Sequence, residues 1–252
     1  MITRADIRLV RSLADKRCRD ESRLFVAEGV KLISELLASG LKVRRLYASA
    51  EALDVLPAAA VAEPATDKEL ERLSLLKSPS SCVAVVEQPR CSLDPAALCG
   101  RLVLALDDVQ NPGNLGTLIR LADWFGIGDI VCSPSSADCF NPKVVQATMG
   151  AILRVRVHYA PLEGFLGAMR DAGEPVYGTV LEGGENIYTA RLSPHGVLVA
   201  GNEGRGISDA TARMLTHRIF IPQYPADRCG SESLNVAVAT AVACAEFRRR
   251  MI

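Results

Sequence analysis

The apolar positions fall into two textures, and the change comes near Arg101. In residues 2–22, Ile7, Val10 and the pair Leu13–Ala14 sit at helical spacing, so a helix is expected there. "RLFVAEG" predicts a short strand, "VKLISELLASG" a helix ended by Gly40, and "VRRLYAS" another strand. "TDKELERLSLL" opens with Thr66 as a helix cap, and Glu69 three residues on completes a capping box. "SCVAVVEQ" predicts a strand. "PRCSLDPAALCG", residues 89–100, has two prolines and no periodicity and is the expected linker.

From Arg101 onward, apolar strands alternate with helices. "RLVLALDDV" is near-continuously apolar, the pattern of a strand buried on both faces. A helix over Leu115–Phe125 follows, then strand "DIVCS", helix "KVVQATMGAI" and strand "RVRVHY". Helix "LEGFLGAMRDAG", strands "PVYGTVL", "GVLVAGN" and "HRIFIP", and a C-terminal helix in "SLNVAVATAVACAEFRRR" complete the chain. This alternation predicts a parallel sheet covered on both sides. The fold class is therefore α/β, with a small α/β domain over 1–95 and a larger parallel-sheet domain over 96–252.

Composition narrows the picture. Of 252 residues, 49% are hydrophobic, enough for one large core or two modest ones. No apolar run reaches the roughly 18 residues needed to span a bilayer, and residues 1–23 lack a signal-peptide core, so the expected location is the cytoplasm. The eight cysteines form no CxxC pair and the three histidines are dispersed, so no metal site is expected and the thiols read as reduced packing residues. Net charge is zero, yet residues 1–50 carry eleven Lys/Arg against six Asp/Glu. That excess fits a phosphate-rich partner, and equally a solvated helix face.

Candidate chemistry sits in three loops, each after a predicted strand, where open parallel sheets bind ligands. In "DDVQNPGNLGTLIRLADWFGI", Asn111–Pro112 sets a turn, Asn114 is the expected cap of the next helix, and Arg120 points away from the arc of Leu118, Leu121, Ala122 and Phe125. The bland alternative for Arg120 is a pair with Asp123. In "GVLVAGNEGRGIS", glycines around Gly201 expose backbone groups beside Glu203. In "IFIPQYPADRCGSESLNVAVA", a polar loop leads to Ser233-Leu234-Asn235, where Ser233 is a candidate helix cap. Neither GxGxxG nor GxxxxGK[ST] occurs, which argues against a nicotinamide dehydrogenase or an NTPase.

"NPGNLGTLIRLADWFG", "AGNEGRGIS" and "IP…ESLNVAVA" together resemble the three motifs of the SpoU/TrmH branch of SPOUT methyltransferases, in matching order. "FVAEGVKLISELLASGLKVRRLYAS" is similar to the small L30e-like RNA-binding domain that precedes many of their catalytic domains. The resemblance implies an S-adenosylmethionine-dependent RNA 2′-O-ribose methyltransferase with a C-terminal trefoil knot, working as a homodimer. By matched position it implies that Arg120 activates the 2′-hydroxyl with Asn114, Glu203, Ser233 and Asn235 around it. It also implies that Thr179, Leu181, Gly201, Ile221 and Leu234 hold the cofactor. The loop from Ile221 to Leu234, with Pro225, Asp227, Arg228 and Cys229, looks longer than the family's usual version. The implied substrate is a structured RNA, ribosomal RNA favoured over transfer RNA. The rivals are a catalytically silent RNA-binding relative and an unrelated nucleotide-binding enzyme.

Overall fold

The computed structural model describes residues 2–57, 60–225 and 233–251. The chain divides into two compact units, Met1–Arg90 with Asp138–Leu153, and Cys91–Ala137 with Arg154–Ile252.

The first unit opens with α1 (Arg4–Ser12), whose Thr3 and Asp6 form a capping box. The helix expected over 2–22 is two helices. Asp15 divides them, because its carboxylate accepts from the N–H groups of Arg17 and Cys18 and so caps a new helix, α2 (Lys16–Ser22). Then come β1 (Leu24–Glu28), α3 (Val30–Ala38) and β2 (Val43–Ala48). Two short elements that the pattern does not predict follow, α4 (Ala50–Val55) and β3 (Glu63–Pro64). The expected capping box of Thr66 and Glu69 opens α5 (Asp67–Leu73), and β4 (Cys82–Glu87) ends the run. The strand order is β1–β4–β2–β3, with β4 antiparallel to both neighbours and β3 parallel to β2.

Period-two alternation gives this sheet two apolar faces. Phe25, Leu46, Ala84 and Val86 pack with Ile33 and Leu36 of α3, while Val26, Tyr47, Val83 and Val85 pack with Val10, Leu70 and Leu73. Residues 138–153 join the first of these faces. Val145 is buried there, and the Phe140 ring lies 4.9 Å from that of Phe25. Asp138 is held by Arg19, which is 1% exposed and donates to the carboxylate at 2.6 and 2.8 Å and to the carbonyls of Leu13 and Ala14.

In the second unit β5 (Leu102–Leu106) leads into α6 (Pro112–Trp124) and β6 (Asp129–Cys132). The chain then makes α7 (Pro142–Ala147), counted above with the first unit, before returning at β7 (Arg156–Tyr159). Next are α8 (Leu162–Asp171), β8 (Val176–Thr179), β9 (Glu185–Asn186) and β10 (Gly196–Ala200). α9 (Asp209–Ala212), β11 (His217–Phe220) and α10 (Val236–Arg249) finish it. The seven strands run in the order β7–β6–β5–β10–β8–β11–β9, and every pairing is parallel, as the alternation predicts. β5, β6 and β10 are buried along their whole lengths.

One face of the sheet (Val103, Ala105, Val131, Val197, Val199) meets Leu162, Phe165, Leu166 and Met169 of α8. α10 packs against α6, and its Phe247 meets the Tyr177 ring of β8 edge-on at 5.1 Å. Arg248 of α10 caps the far end of α6 by donating to the carbonyls of Phe125 and Gly126 at 2.8 and 3.3 Å. No disulfide forms among the described residues. Burial pushes the Cys82 thiol up to about 11 and the Cys244 thiol up to about 12, so both remain protonated packing groups. Cys229 lies outside the described residues.

Candidate active site

Strand order explains why three loops far apart in sequence share one edge. β5, β10, β8 and β11 are neighbours and parallel, so the loops after Leu106, Ala200, Thr179 and Phe220 all leave the same end of the sheet. That is the C-terminal edge, the usual ligand edge of such sheets.

The loop after β5 folds differently from the sequence expectation in one respect. Asn111, not Asn114, caps α6: its side chain accepts from the N–H groups of Gly113 and Asn114, and Pro112 takes the first helical position. Proline favours that position because its φ is preset and it has no N–H to leave orphaned. The shift has a consequence, for Asn114 now lies inside the first turn with its side chain available. Its Nδ2 donates to Glu203 Oε1 at 2.9 Å, and its Oδ1 accepts from Asn235 Nδ2 at 3.1 Å. The backbone N–H of Asn111 also donates to Glu203 Oε1, at 3.3 Å. One residue from each candidate loop therefore joins a single hydrogen-bonded chain, Glu203–Asn114–Asn235.

Asn235 has a second role. It caps α10, accepting from the N–H groups of Ala237 and Val238. The cap is thus Asn235 and not Ser233, which lies exposed two residues earlier. An asparagine can do both jobs because its carbonyl oxygen faces the helix while its amide faces Asn114. Residues 226–232, with Asp227, Arg228 and Cys229, lie outside the described residues.

Arg120 stands on the exposed side of α6. It follows Asn114 by six residues, about 240° further round the helix. No hydrogen bond or ion pair joins it to another side chain among the described residues. The alternative pairing with Asp123 is not made: Asp123 is engaged by Arg154 at 2.9 and 3.0 Å. The buried arc of α6 is Leu115, Leu118, Ile119 and Ala122, with Leu121 and Phe125 half-buried.

The glycine at 201 is required by its surroundings. A Cβ there would lie 2.2 Å from the carbonyl carbon of Gly206, because the chain doubles back and Asn202 pairs with Gly206 in an isolated bridge. The turn so formed carries Glu203. On the neighbouring strand Thr179 is half-buried, its hydroxyl donating to the Val199 carbonyl at 3.3 Å. Leu181 and Leu234 are 68% and 50% exposed, and Ile221 is half-buried.

The chain matches the SpoU rRNA Methylase family over residues 101–245 and the MRM3-like substrate binding domain over residues 4–84. The chain belongs to the SpoU methylase family. It is accordingly an RNA 2′-O-ribose methyltransferase that uses S-adenosylmethionine. The 23S rRNA (guanosine(2553)-2′-O)-methyltransferase RlmP of Bacillus subtilis is 30% identical to it over 234 residues, covering 92% of this chain and 91% of that one. A TrmH-family structure from Porphyromonas gingivalis superposes with a TM-score of 0.89 at 38% identity, covering 99% of both chains. An AdoMet-bound rRNA methyltransferase from Sinorhizobium meliloti gives 0.86 at 32% identity, covering 100% of this chain and 97% of that one.

In this SpoU methylase the loops after β8, β10 and β11 suit a sulfonium nucleoside. They present the apolar side chains of Leu181, Ile221 and Leu234, which would suit a flat adenine and a short aliphatic chain, beside the tight turn that Gly201 opens. When bound, the cofactor supplies an electrophilic methyl group.

Proposed function

We propose that this SpoU methylase modifies the ribose 2′-hydroxyl of a nucleotide in 23S ribosomal RNA, ribosomal RNA being favoured over transfer RNA. The observation that carries the reading is the Glu203–Asn114–Asn235 chain, one residue from each of three loops on one sheet edge. The activity of the similar Bacillus enzyme supports ribosomal RNA as the substrate.

The acceptor hydroxyl must be held in line with the methyl group and must lose its proton as it attacks. Arg120 is not the base, since a guanidinium keeps its proton beyond pH ~12. Its role is to hold the phosphate beside the target ribose and to stabilise the alkoxide charge as it develops. Asn114 and Asn235 orient the ribose, with Glu203 fixing Asn114. The first unit, with its basic first fifty residues, contributes RNA affinity. The working form is a homodimer with a knotted C-terminal region. Trp124 of α6, 85% exposed, and Val238 of α10, 50% exposed, are apolar surface that such a pairing would cover.

The test is tritium transfer from methyl-labelled S-adenosylmethionine to unmodified 23S rRNA and, separately, unmodified tRNA. Label retained on ribosomal RNA and located by 2′-O-methyl mapping supports the reading. Label found on tRNA alone overturns it.

A further inference from the structure

Three non-glycine residues among those described have positive φ, and one of them, Asp108 at +58°, sits at the mouth of the site. The left-handed region costs an ordinary residue energy, and aspartate is one of the few that visit it. Asp108 uses every polar group it has. Its N–H donates to Ser133 Oγ at 2.8 Å, and its carbonyl accepts from Asn202 Nδ2 at 2.8 Å. Its Oδ1 accepts from Gln110 Nε2 at 2.9 Å. Its Oδ2 accepts from Asn202 Nδ2 at 3.3 Å and from the Arg205 guanidinium.

Asn202 relays that grip into the next loop. Its Oδ1 accepts from the N–H groups of Gly204 and Arg205 at 2.9 and 3.0 Å, and its backbone exchanges two 2.9 Å hydrogen bonds with Gly206. Glu203 lies in the crown of this turn, and from there it reaches Asn114 and the Asn111 N–H. Asp108 therefore stands between two loops that share no sequence neighbourhood, and it touches none of the three residues in the central chain. The hydrogen bond from Gln110, with Ser135 and Arg205, holds its carboxyl below the usual carboxylate range, so the grip persists at neutral pH.

We infer that Asp108 is a positioning residue for methyl transfer: its carboxylate clamps the Asn202–Gly206 turn onto the loop before α6 and so sets where Glu203 holds Asn114. This rests on the 2′-O-methylation reading above. The clamp acts through another residue, so its loss should lower the rate of the chemical step and leave cofactor affinity nearly intact.

Three substitutions separate backbone from carboxylate. D108G keeps the φ without strain and deletes the carboxylate, D108N keeps a neutral oxygen and the φ tolerance, and D108A adds strain. With 23S rRNA as acceptor, D108G should lose about 30-fold in kcat while KM for S-adenosylmethionine stays within about threefold, and D108N should recover to within about threefold of wild type. Thermal melting of D108G should stay close to wild type, which a merely structural role would not allow. A crystal structure of D108G should show the 2.9 Å Asn114–Glu203 hydrogen bond lengthened or lost. A kcat for D108G within threefold of wild type, or that hydrogen bond unchanged, overturns the inference. If wild-type protein itself transfers no methyl to 23S rRNA, the substrate reading fails, and the crystal structure still decides the role of Asp108.

Discussion

At the scale of single residues, the site is built from amides and one carboxylate rather than from a strong base. Asn114 is its pivot, spending both ends of its side chain on Glu203 and Asn235. Asn114→Ala should therefore cut kcat by about 100-fold with the affinity for S-adenosylmethionine changed by less than about threefold, since positioning rather than binding is lost. Single-turnover transfer and calorimetry read the two quantities separately. Arg120 makes a second residue-scale prediction. If it grips a phosphate with both arms of its fork, Arg120→Lys keeps the charge and loses the geometry, and activity should fall more than about tenfold. An activity within tenfold of wild type would sink the bidentate role. The side-chain types of this cluster could be read in the sequence, but its wiring could not. Pro112 was the available clue to the cap, because a proline at the first helical position makes the preceding Asn111 the cap. The bonds of Asp108 to Asn202 and Arg205 join positions more than ninety residues apart, and no local pattern encodes them.

At the scale of elements, periodicity served wherever burial was two-sided or strictly alternating. β5 and β10 read as apolar runs because both faces are covered, and the Thr66–Glu69 capping box was legible because it spans three residues. α4 and β3 carry too few residues to show a period, and the break at Asp15 looks like a continuous helix until the carboxylate is seen turning back. α10 shows how one element fastens another. Glu246, buried within it, accepts from Arg249 at 2.8 and 2.9 Å and from Arg250 at 2.7 Å, and Arg250 continues to the carbonyls of Ile187 and Ala190. The hydrogen bond from Arg249, with that from Arg250, pushes the Glu246 carboxyl down to about 2. A lowered folded-state pKa stabilises the protein above the unfolded value near 4.5, and that contribution fades as pH falls toward 2. Wild type should thus lose stability in that window, and Glu246→Gln should be less stable at neutral pH, by about 1–3 kcal/mol, with a flatter acid limb. Urea melts at stepped pH measure both. Identical acid limbs for the two proteins would refute the assignment.

At the scale of the whole molecule, the chain does not hand over once from first unit to second. It leaves the second unit after Ala137, completes the first with residues 138–153, and returns at Arg154. The excursion was not legible in the sequence, because "KVVQATMGAI" has the same helical period whichever sheet it covers. The physical consequence concerns how the first unit can fold. Val145 is 2% exposed against the sheet, Phe140 stacks near Phe25, and the buried Arg19 has Asp138 as its carboxylate. A fragment ending at residue 95 lacks all three contacts. It would present part of its apolar face to water and leave a buried guanidinium without its counter-charge, a combined loss of about 4–8 kcal/mol, comparable with the whole stability of a small domain. Such a fragment should bind a hydrophobic dye and show little amide-exchange protection. The same fragment carrying residues 138–153 on a flexible glycine–serine linker should recover protection in β1 and β4. Within the intact protein, Arg19→Ala should cost about 3–5 kcal/mol through the uncompensated Asp138, and Arg19→Met less than half of that if Asp138 is changed to leucine at the same time. Equal losses for the single and paired substitutions would mean that the ion pair does not fasten residues 138–153 to the first unit.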